Sequence, residues 1–129
     1  MSNPRKIELE HVKDGDIIYI NACSQCASTA TIALEGNLTE PIRLSKEMNS
    51  CELLPLKGNF KSQKRGNEPL FLVIDIKNAN SMKVFKSAVI MSDFDGKEKG
   101  LNFSFNIEDA GDNDFNDYYV NVVVWHQRG

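Results

Sequence analysis

The chain has 129 residues, of which 41% are hydrophobic and 26% are charged, and its formal net charge is −3. This size and composition fit one globular domain spanning residues 1–129, and the negative charge argues against a nucleic-acid-binding protein. No apolar run approaches the roughly 18 residues of a membrane span, and the N-terminal segment lacks the apolar core of a signal peptide, so we expect synthesis in the cytoplasm and, for any release or cell-surface display, an unknown export route.

Segments that alternate hydrophobic and polar residues predict β-strands along almost the whole chain. In chain order they are a short segment around Ile7 and Leu9, then Asp16–Ser24, Ser28–Glu35, Pro41–Glu47, Leu70–Lys77, Met82–Met91, Leu101–Ile107 and Tyr118–Trp125. Turn residues such as Asp14-Gly15 and Gly36-Asn37 separate the segments. About nine short strands with this spacing predict an all-β fold, an antiparallel β-sandwich.

Two stretches between these strands predict less regular structure. Met48–Phe60 could contain a helical turn, although Pro55 excludes a long helix. The polar, basic stretch Lys61–Glu68 predicts a solvated loop, so we expect its cations in solvent rather than against an anionic partner. These cations are Lys61, Lys64 and Arg65. A further loop is expected at Asp93–Gly100, where Asp93 and Asp95 indicate a plain turn rather than a cation site.

The cysteines and histidines do not form a recognisable catalytic or zinc-binding pattern. An odd number of cysteines (Cys23, Cys26 and Cys51) argues against a disulfide framework. Cys23 and Cys26 form a C-x-x-C, but the surrounding β pattern lacks the helix of a redox motif, and no second pair completes a zinc site. We therefore expect thiols in or near a strand. His11 and His126 lie far apart in the sequence and are expected at surface or edge positions.

The most informative stretch is Glu108–Asp117, which contains five carboxylates and two amides in ten residues and no Lys or Arg. Two like charges about 4 Å apart repel by roughly 1 kcal/mol in water and by about 4 kcal/mol at an effective dielectric of 20. A folded loop that holds these groups together therefore favours a bound cation. Oxygen ligands prefer Ca²⁺ or Mg²⁺, and their crowding suits the larger Ca²⁺.

The spacing within this stretch excludes the commonest calcium loop. Asp112, Asp114 and Asn116 alternate as in the start of an EF-hand loop, but Asp117 stands where that loop needs glycine. Val123 stands where it needs a glutamate, and a strand rather than a helix follows. A solvated acidic turn without any ion remains the alternative.

The segment Leu101–Gly129 resembles the C-terminal end of the LecB-type two-calcium bacterial lectins, which bind fucose and mannose. The matching features are Leu101-Asn102-Phe103, the acidic run Glu108–Asp117, Trp125 and a terminal Gly129. In such lectins two Ca²⁺ ions lie side by side in the acidic loop, and vicinal hydroxyls of a sugar coordinate both ions. The resemblance therefore implies two Ca²⁺ ions in this loop.

The resemblance also implies a ligand set. One ion would be held by Glu108, Asp112, Asp114 and Asp117, and the other by Asp114, Asn116 and Asp117. The family adds a backbone carbonyl from the end of an N-terminal strand, which an ungapped alignment places at Gln25, with Asn21 as the alternative. In the family the carboxylate of the terminal glycine reaches the calcium site of a neighbouring subunit, and the resemblance implies this role for Gly129.

Sugar contacts are implied in the same way. The loop Cys26-Ala27-Ser28 would select the sugar, so the Cys26 thiol should be accessible to reagents, and Asp109 would accept a hydrogen bond from a sugar hydroxyl. The sugar would also contact the groups around the ions, namely Asp112, Asp114, Asn116, Asp117 and Gly129. Because Cys26-Ala27-Ser28 differs from the usual loop of the family, the preference between fucose and mannose stays open.

The expected function is a calcium-dependent lectin for fucose- and mannose-containing glycans, assembled as a homodimer, with higher oligomers left open. No acid–base pair separate from the expected metal ligands is evident, so binding without turnover is expected. Two alternatives remain: a structural or adhesion module that calcium only stabilises, and a two-metal phosphoesterase. The second is less favoured because Glu108–Asp117 contains no histidine ligand.

Overall fold

Strands account for all the regular structure in the part of the chain that the computed structural model describes, which is residues 4–47, 50–77, 79, 82–108 and 117–126. They are β1 (Arg5–Leu9), β2 (Ile17–Ser24), β3 (Ala30–Glu35), β4 (Ile42–Lys46), β5 (Leu54–Pro55), β6 (Lys57–Asn59), β7 (Lys61–Gln63), β8 (Leu70–Ile76), β9 (Lys83–Ser92), β10 (Glu98–Glu108) and β11 (Tyr118–Trp125). Among these residues no helix is long and apolar enough to cross a membrane.

The strands form two antiparallel sheets. Sheet A has the order β1-β8-β3-β4-β6, and sheet B has the order β5-β2-β11-β10-β9. The short strand β7 pairs with β2 on the same side as β5: β5 lies opposite Cys23 and Ser24, and β7 lies opposite Ile17–Tyr19. This arrangement confirms the predicted all-β antiparallel sandwich.

The core lies between the two sheets and consists of alternate residues of each strand. Residues facing inward in β2, β10 and β11 meet those facing inward in β3, β4 and β8 in one hydrophobic cluster. Its fully buried members include Ile18, Ile20, Ile32, Leu72, Ile74, Phe103, Phe105, Val120, Val122 and Val124. Burying one such side chain contributes about 1.5–3 kcal/mol relative to leaving it exposed. This alternation fixes which side chains of β2 and β11 face inward near the candidate site.

The sandwich has two ends with different contents. At one end β2 finishes at Ser24 and β11 begins at Tyr118, and these two residues are paired. At the other end β2 begins at Ile17 opposite Trp125, the last residue of β11. We call these the Tyr118 end and the Trp125 end. A strand of eight residues spans about 25 Å, so groups at the two ends are well separated.

The structure differs from the sequence predictions mainly between residues 54 and 63. The stretch predicted to be ambiguous contains β5 and β6, and β7 occupies the first three residues of the predicted loop Lys61–Glu68. The loop prediction was wrong there because β7 pairs with an edge of β2 through its backbone, which requires no apolar side chains. The strand β10 also begins earlier than predicted, at Glu98.

Candidate functional site

Glu108 and Asp117 occupy neighbouring strand termini at the Tyr118 end. Glu108 is the last residue of β10, and Asp117 immediately precedes β11, where Ile107 pairs with Tyr118. Glu108 is 0% exposed and Asp117 is 8% exposed. Burying a charged carboxylate is costly unless a cation or hydrogen-bond donors compensate for lost hydration. The fold therefore brings two buried acids of the predicted ligand set to one place.

Five other predicted site residues lie outside the described residues: Asp109, Asp112, Asp114, Asn116 and Gly129. Among the residues that are described, no group of three or more His, Cys, Asp or Glu side chains is arranged to hold a metal ion. The described members of the predicted ligand set, Glu108, Asp117 and the Gln25 carbonyl, are all oxygen donors of the kind that Ca²⁺ prefers. These residues are consistent with the predicted arrangement of two Ca²⁺ ions, which stays a prediction.

Gln25 lies beside Asp117. Its backbone N–H donates a hydrogen bond to the Asp117 carbonyl oxygen at 3.1 Å, which connects the end of β2 to the start of β11. Asn21, the alternative ligand, pairs with Asn121 in the middle of the ladder and is exposed. Ser24 lies three positions further along the strand, or about 10 Å away. The geometry therefore favours Gln25 over Asn21 as the candidate backbone ligand.

The loop Cys26-Ala27-Ser28 is held by a chain of polar contacts. The Cys26 backbone N–H donates to the Ser24 hydroxyl oxygen at 3.3 Å, and the Cys26 Sγ lies 2.9 Å from the Ser28 Oγ. Cys26 is buried, whereas Ala27 is exposed and Ser28 is half-buried. The predicted accessibility of the Cys26 thiol is therefore wrong in this structure, because the side chain turns inward. Ala27 is the residue of this loop that is most exposed to solvent.

Tyr118 also takes part in these polar contacts. The sequence predicted it only as a strand residue. Its hydroxyl lies 3.0 Å from the Ser28 Oγ and donates to the Ser28 carbonyl oxygen at 3.1 Å. Burial of the phenol raises the pKa of Tyr118 above its ordinary value, so the hydroxyl stays protonated and able to donate at neutral pH. These contacts connect Tyr118, the first residue of β11, to the loop Cys26-Ala27-Ser28.

Lys46, the last residue of β4, is a buried cation in the same region. Its Nζ donates to the Ser24 Oγ at 3.1 Å, to the Ser50 carbonyl oxygen at 3.1 Å and to the Cys26 carbonyl oxygen. No role for Lys46 was predicted from the sequence. One signal was present: Ile42 and Leu44 occupy inward positions of β4, and Lys46 continues that alternation.

At the Trp125 end, His126 contacts two acids. Its Nδ1 lies 3.0 Å from the Asp16 Oδ2, and its Nε2 contacts Glu98. The Asp16 Oδ2 also accepts a hydrogen bond from the Lys13 N–H at 2.7 Å. The expectation of a surface or edge position holds for the exposed His11, but it was wrong for the packed imidazole of His126.

Two further expectations concern charged loops. Asp93 accepts hydrogen bonds from the backbone N–H groups of Lys97 and Asp95 at 3.0 and 2.9 Å, and the bond from Lys97 is the main cause that lowers the pKa of Asp93. This is the predicted plain turn. Lys64, by contrast, is buried and donates to the carbonyl oxygens of Arg65 and Gly66, so placing it in solvent was wrong.

The chain matches the Chromobacterium violaceum lectin CV2L in complex with alpha-methyl-fucoside with a TM-score of 0.62, at 17% identity over 95% of this chain and 96% of that chain. It matches the Ralstonia solanacearum high-affinity mannose-binding lectin with the same score, identity and coverage. The chain has the fold of these lectins.

A third lectin supports the same fold. The C-terminal domain of the BC2L-C lectin from Burkholderia cenocepacia matches with a TM-score of 0.53, at 16% identity over 99% of this chain and 100% of that chain. No protein-family model matches the chain, and a search of curated proteins found no match. The coverage shows that the similarity extends over the whole sandwich and not only over the acidic segment that suggested it.

Proposed function

We propose that this protein is a calcium-dependent lectin that binds fucose- or mannose-type monosaccharides at the Tyr118 end of the sandwich. The observation that carries the proposal is the hydrogen bond from the Gln25 N–H to the Asp117 carbonyl oxygen, at 3.1 Å. It joins the end of β2 to the acidic segment beside the buried Glu108. Two solved lectins with this fold are described with a fucoside and as mannose-binding, which supports the choice of sugars.

The proposal assigns the calcium ligands and the sugar contacts to the following residues. Glu108, Asp112, Asp114 and Asp117 would hold one Ca²⁺, and Asp114, Asn116 and Asp117 would hold the other, with the Gln25 carbonyl as a further ligand. The bound ions would supply coordination positions for the sugar's hydroxyl oxygens. Asp109 would accept a hydrogen bond from the sugar, and the loop Cys26-Ala27-Ser28 would shape the space beside it.

Assembly as a homodimer is part of the proposal, because Gly129 of one chain would complete the site of its partner. The outer face of sheet B supports a contact between copies. It exposes a set of large apolar and aromatic side chains, namely Tyr19, Phe85, Val89, Tyr119 and Trp125. Their strands pair in register, so these side chains share one face of the sheet. A contiguous exposed apolar patch can mark a protein–protein interaction site.

The test is binding of methyl α-fucoside and methyl α-mannoside by isothermal titration calorimetry, in calcium and again in EDTA. We expect binding in calcium and none in EDTA. Calcium should also raise the melting temperature, since an ion at 100-fold above its Kd stabilises the fold by about 2.7 kcal/mol per independent site.

The alternatives give different results in the same experiment. A structural calcium module would show the thermal shift but no sugar binding, which would contradict the lectin proposal. A two-metal phosphoesterase would hydrolyse a chromogenic phosphate ester with Mg²⁺ or Mn²⁺. A melting temperature that does not respond to EDTA would contradict a calcium site altogether.

A further inference from the structure

Lys46 is a charged residue in a position that the β-sandwich normally fills with an apolar side chain. Ile42, Leu44 and Lys46 are the inward-facing residues of β4, and Lys46 is 4% exposed. A buried ammonium loses its hydration, which is costly unless other groups replace the lost hydrogen bonds. A lysine at this position is therefore expected to make contacts that Leu or Met could not make.

The ammonium has a full set of neutral acceptors. An ammonium has three N–H donors, and Lys46 has the Ser24 hydroxyl, the Cys26 carbonyl and the Ser50 carbonyl as acceptors. Its Nζ also lies 5.7 Å from the centroid of the Tyr118 ring, within range of a cation–π interaction. One side chain of sheet A thus contacts the end of β2, the following loop and the start of β11.

These contacts surround the candidate calcium ligand. Ser24 and Cys26 are the residues immediately before and after Gln25, so Lys46 contacts the side chain on one side of it and the backbone carbonyl on the other. The Gln25 N–H is in turn bonded to the Asp117 carbonyl oxygen. Gln25 and Ser28 both belong to the segment that Lys46 contacts from the interior.

We propose that Lys46 is a positioning residue, which holds the segment Ser24–Ser28 in the geometry that calcium and sugar binding require. The contacts of Lys46 do not depend on the proposed lectin function, but their expected effect on calcium and sugar binding rests on it. Residues that orient metal ligands without touching the metal typically change metal affinity by about 10- to 100-fold when they are removed. We expect an effect of that size at Lys46.

The chain offers a matched control in Lys64. Lys64 is also a buried lysine, and its Nζ donates to two backbone carbonyl oxygens at 3.0 and 2.9 Å. It lies at the Trp125 end, where its backbone N–H bonds the Asp16 carbonyl oxygen. Lys64→Met should therefore destabilise the fold in the same manner as Lys46→Met but leave the Tyr118 end unchanged.

Cys26 provides a readout that does not require a sugar. Its thiol is buried and bonded within the segment that Lys46 holds, so its reaction with a thiol reagent reports local opening. In a background with Cys23→Ser and Cys51→Ser, we expect Lys46→Met to accelerate Cys26 labelling by about tenfold or more. Lys64→Met should leave the labelling rate close to that of the background.

Calcium and sugar binding are then measured by calorimetry for both lysine variants, at a temperature where circular dichroism shows them folded. We expect Lys46→Met to weaken calcium binding by about 10- to 100-fold and to change the ratio of the fucoside and mannoside Kd values, with Lys64→Met close to wild type. If Lys46→Met does not fold, Ser24→Ala removes one acceptor of Lys46, together with the acceptor of the Cys26 N–H, and should show the same changes to a smaller degree.

The outcomes separate this inference from the proposed function. Unchanged Cys26 labelling and unchanged affinities in folded Lys46→Met would overturn the positioning role, as would equal effects of Lys46→Met and Lys64→Met. If the wild-type protein binds neither monosaccharide, the proposed function fails, and the labelling difference alone then decides whether Lys46 holds the segment.

Discussion

The two ends of the sandwich differ in the acidic residues that they contain and in the donors that lie beside them. At the Trp125 end, the buried Asp16 contacts His126 and the Lys13 N–H, which are donors from this chain. At the Tyr118 end, Glu108–Asp117 contains five carboxylates and no Lys or Arg, and the nearby buried ammonium of Lys46 donates to neutral oxygens. The Trp125 end thus has the properties of a structural cluster, whereas the acidic segment at the Tyr118 end is where the proposed function places ions from solution.

The largest expected effect on calcium and sugar binding is at Asp117, and it tests the difference between the two ends directly. Asp117→Asn keeps the side-chain shape but removes a charge that the proposal assigns to both ions. We expect calcium binding to weaken by more than about 100-fold and sugar binding to disappear in calorimetry. Full calcium stoichiometry in Asp117→Asn would contradict the bridging role. Asp16→Asn is the matched control at the other end, and it should leave both affinities unchanged.

The next effect is expected at His126, where the result should be a loss of stability alone. His126→Leu removes a partner of the Asp16 Oδ2, and the Asp16 Oδ1 already has no hydrogen-bond partner within the described residues. Leaving a buried acceptor poorly satisfied costs about 1–3 kcal/mol. Urea denaturation measures this loss, and calorimetry should show wild-type calcium binding. Reduced calcium affinity in His126→Leu would show that the two ends are coupled.

A smaller effect is expected at Cys26. Cys26→Ser replaces the sulfur that lies between the Ser24 and Ser28 hydroxyls with a smaller oxygen. We expect the ratio of fucoside to mannoside affinity to change by about 2- to 5-fold, with a loss of stability below about 1.5 kcal/mol. Competition binding with the two methyl glycosides measures the ratio. An unchanged ratio would mean that this chain of contacts does not shape the sugar site.

The sequence was most informative where the relevant residues are close together in the chain. Alternation in Leu101–Ile107 predicted the inward-facing Phe103 and Phe105, because the side-chain period of a strand is local. The acidic segment was visible for the same reason. The strand β7 was missed because its pairing with β2 depends on backbone hydrogen bonds, which polar residues make as well as apolar ones.

Contacts between distant parts of the chain were not predicted. His126 and Asp16 are 110 positions apart, and nothing in their local sequence indicates that β2 and β11 will be neighbours. Lys46 is an intermediate case. Its place in the alternation of β4 marked it as a buried charge, but its acceptors Ser24 and Ser50 lie outside that strand. Sequence patterns therefore suggested where the site lies better than they suggested what supports it.

The smallest effect on stability is expected for the ion pair between Lys86 and Glu10. Lys86 is partly exposed and provides a comparison with the buried Lys46 and Lys64. Its Nζ contacts the Glu10 Oε1 at 2.9 Å and Oε2 at 3.1 Å. The hydrogen bond from Lys86 is the main cause that lowers the pKa of Glu10. Because the Glu10 side chain is 54% exposed, water screens the pair, and Glu10→Gln should cost at most about 1 kcal/mol at neutral pH.

The lowered pKa fixes how this small contribution depends on pH. The unfolded chain holds the Glu10 proton more tightly than the folded chain, so the stabilisation is present above the unfolded value of about 4.3 and is lost as the pH falls through the folded value. Urea denaturation of wild type and Glu10→Gln should therefore differ at pH ~7 and converge near pH ~3. A difference that persists at pH ~3 would show that the contribution of Glu10 does not come from its charge, and a difference above about 2 kcal/mol at pH ~7 would show that the pair stabilises the fold by more than exposed ion pairs do.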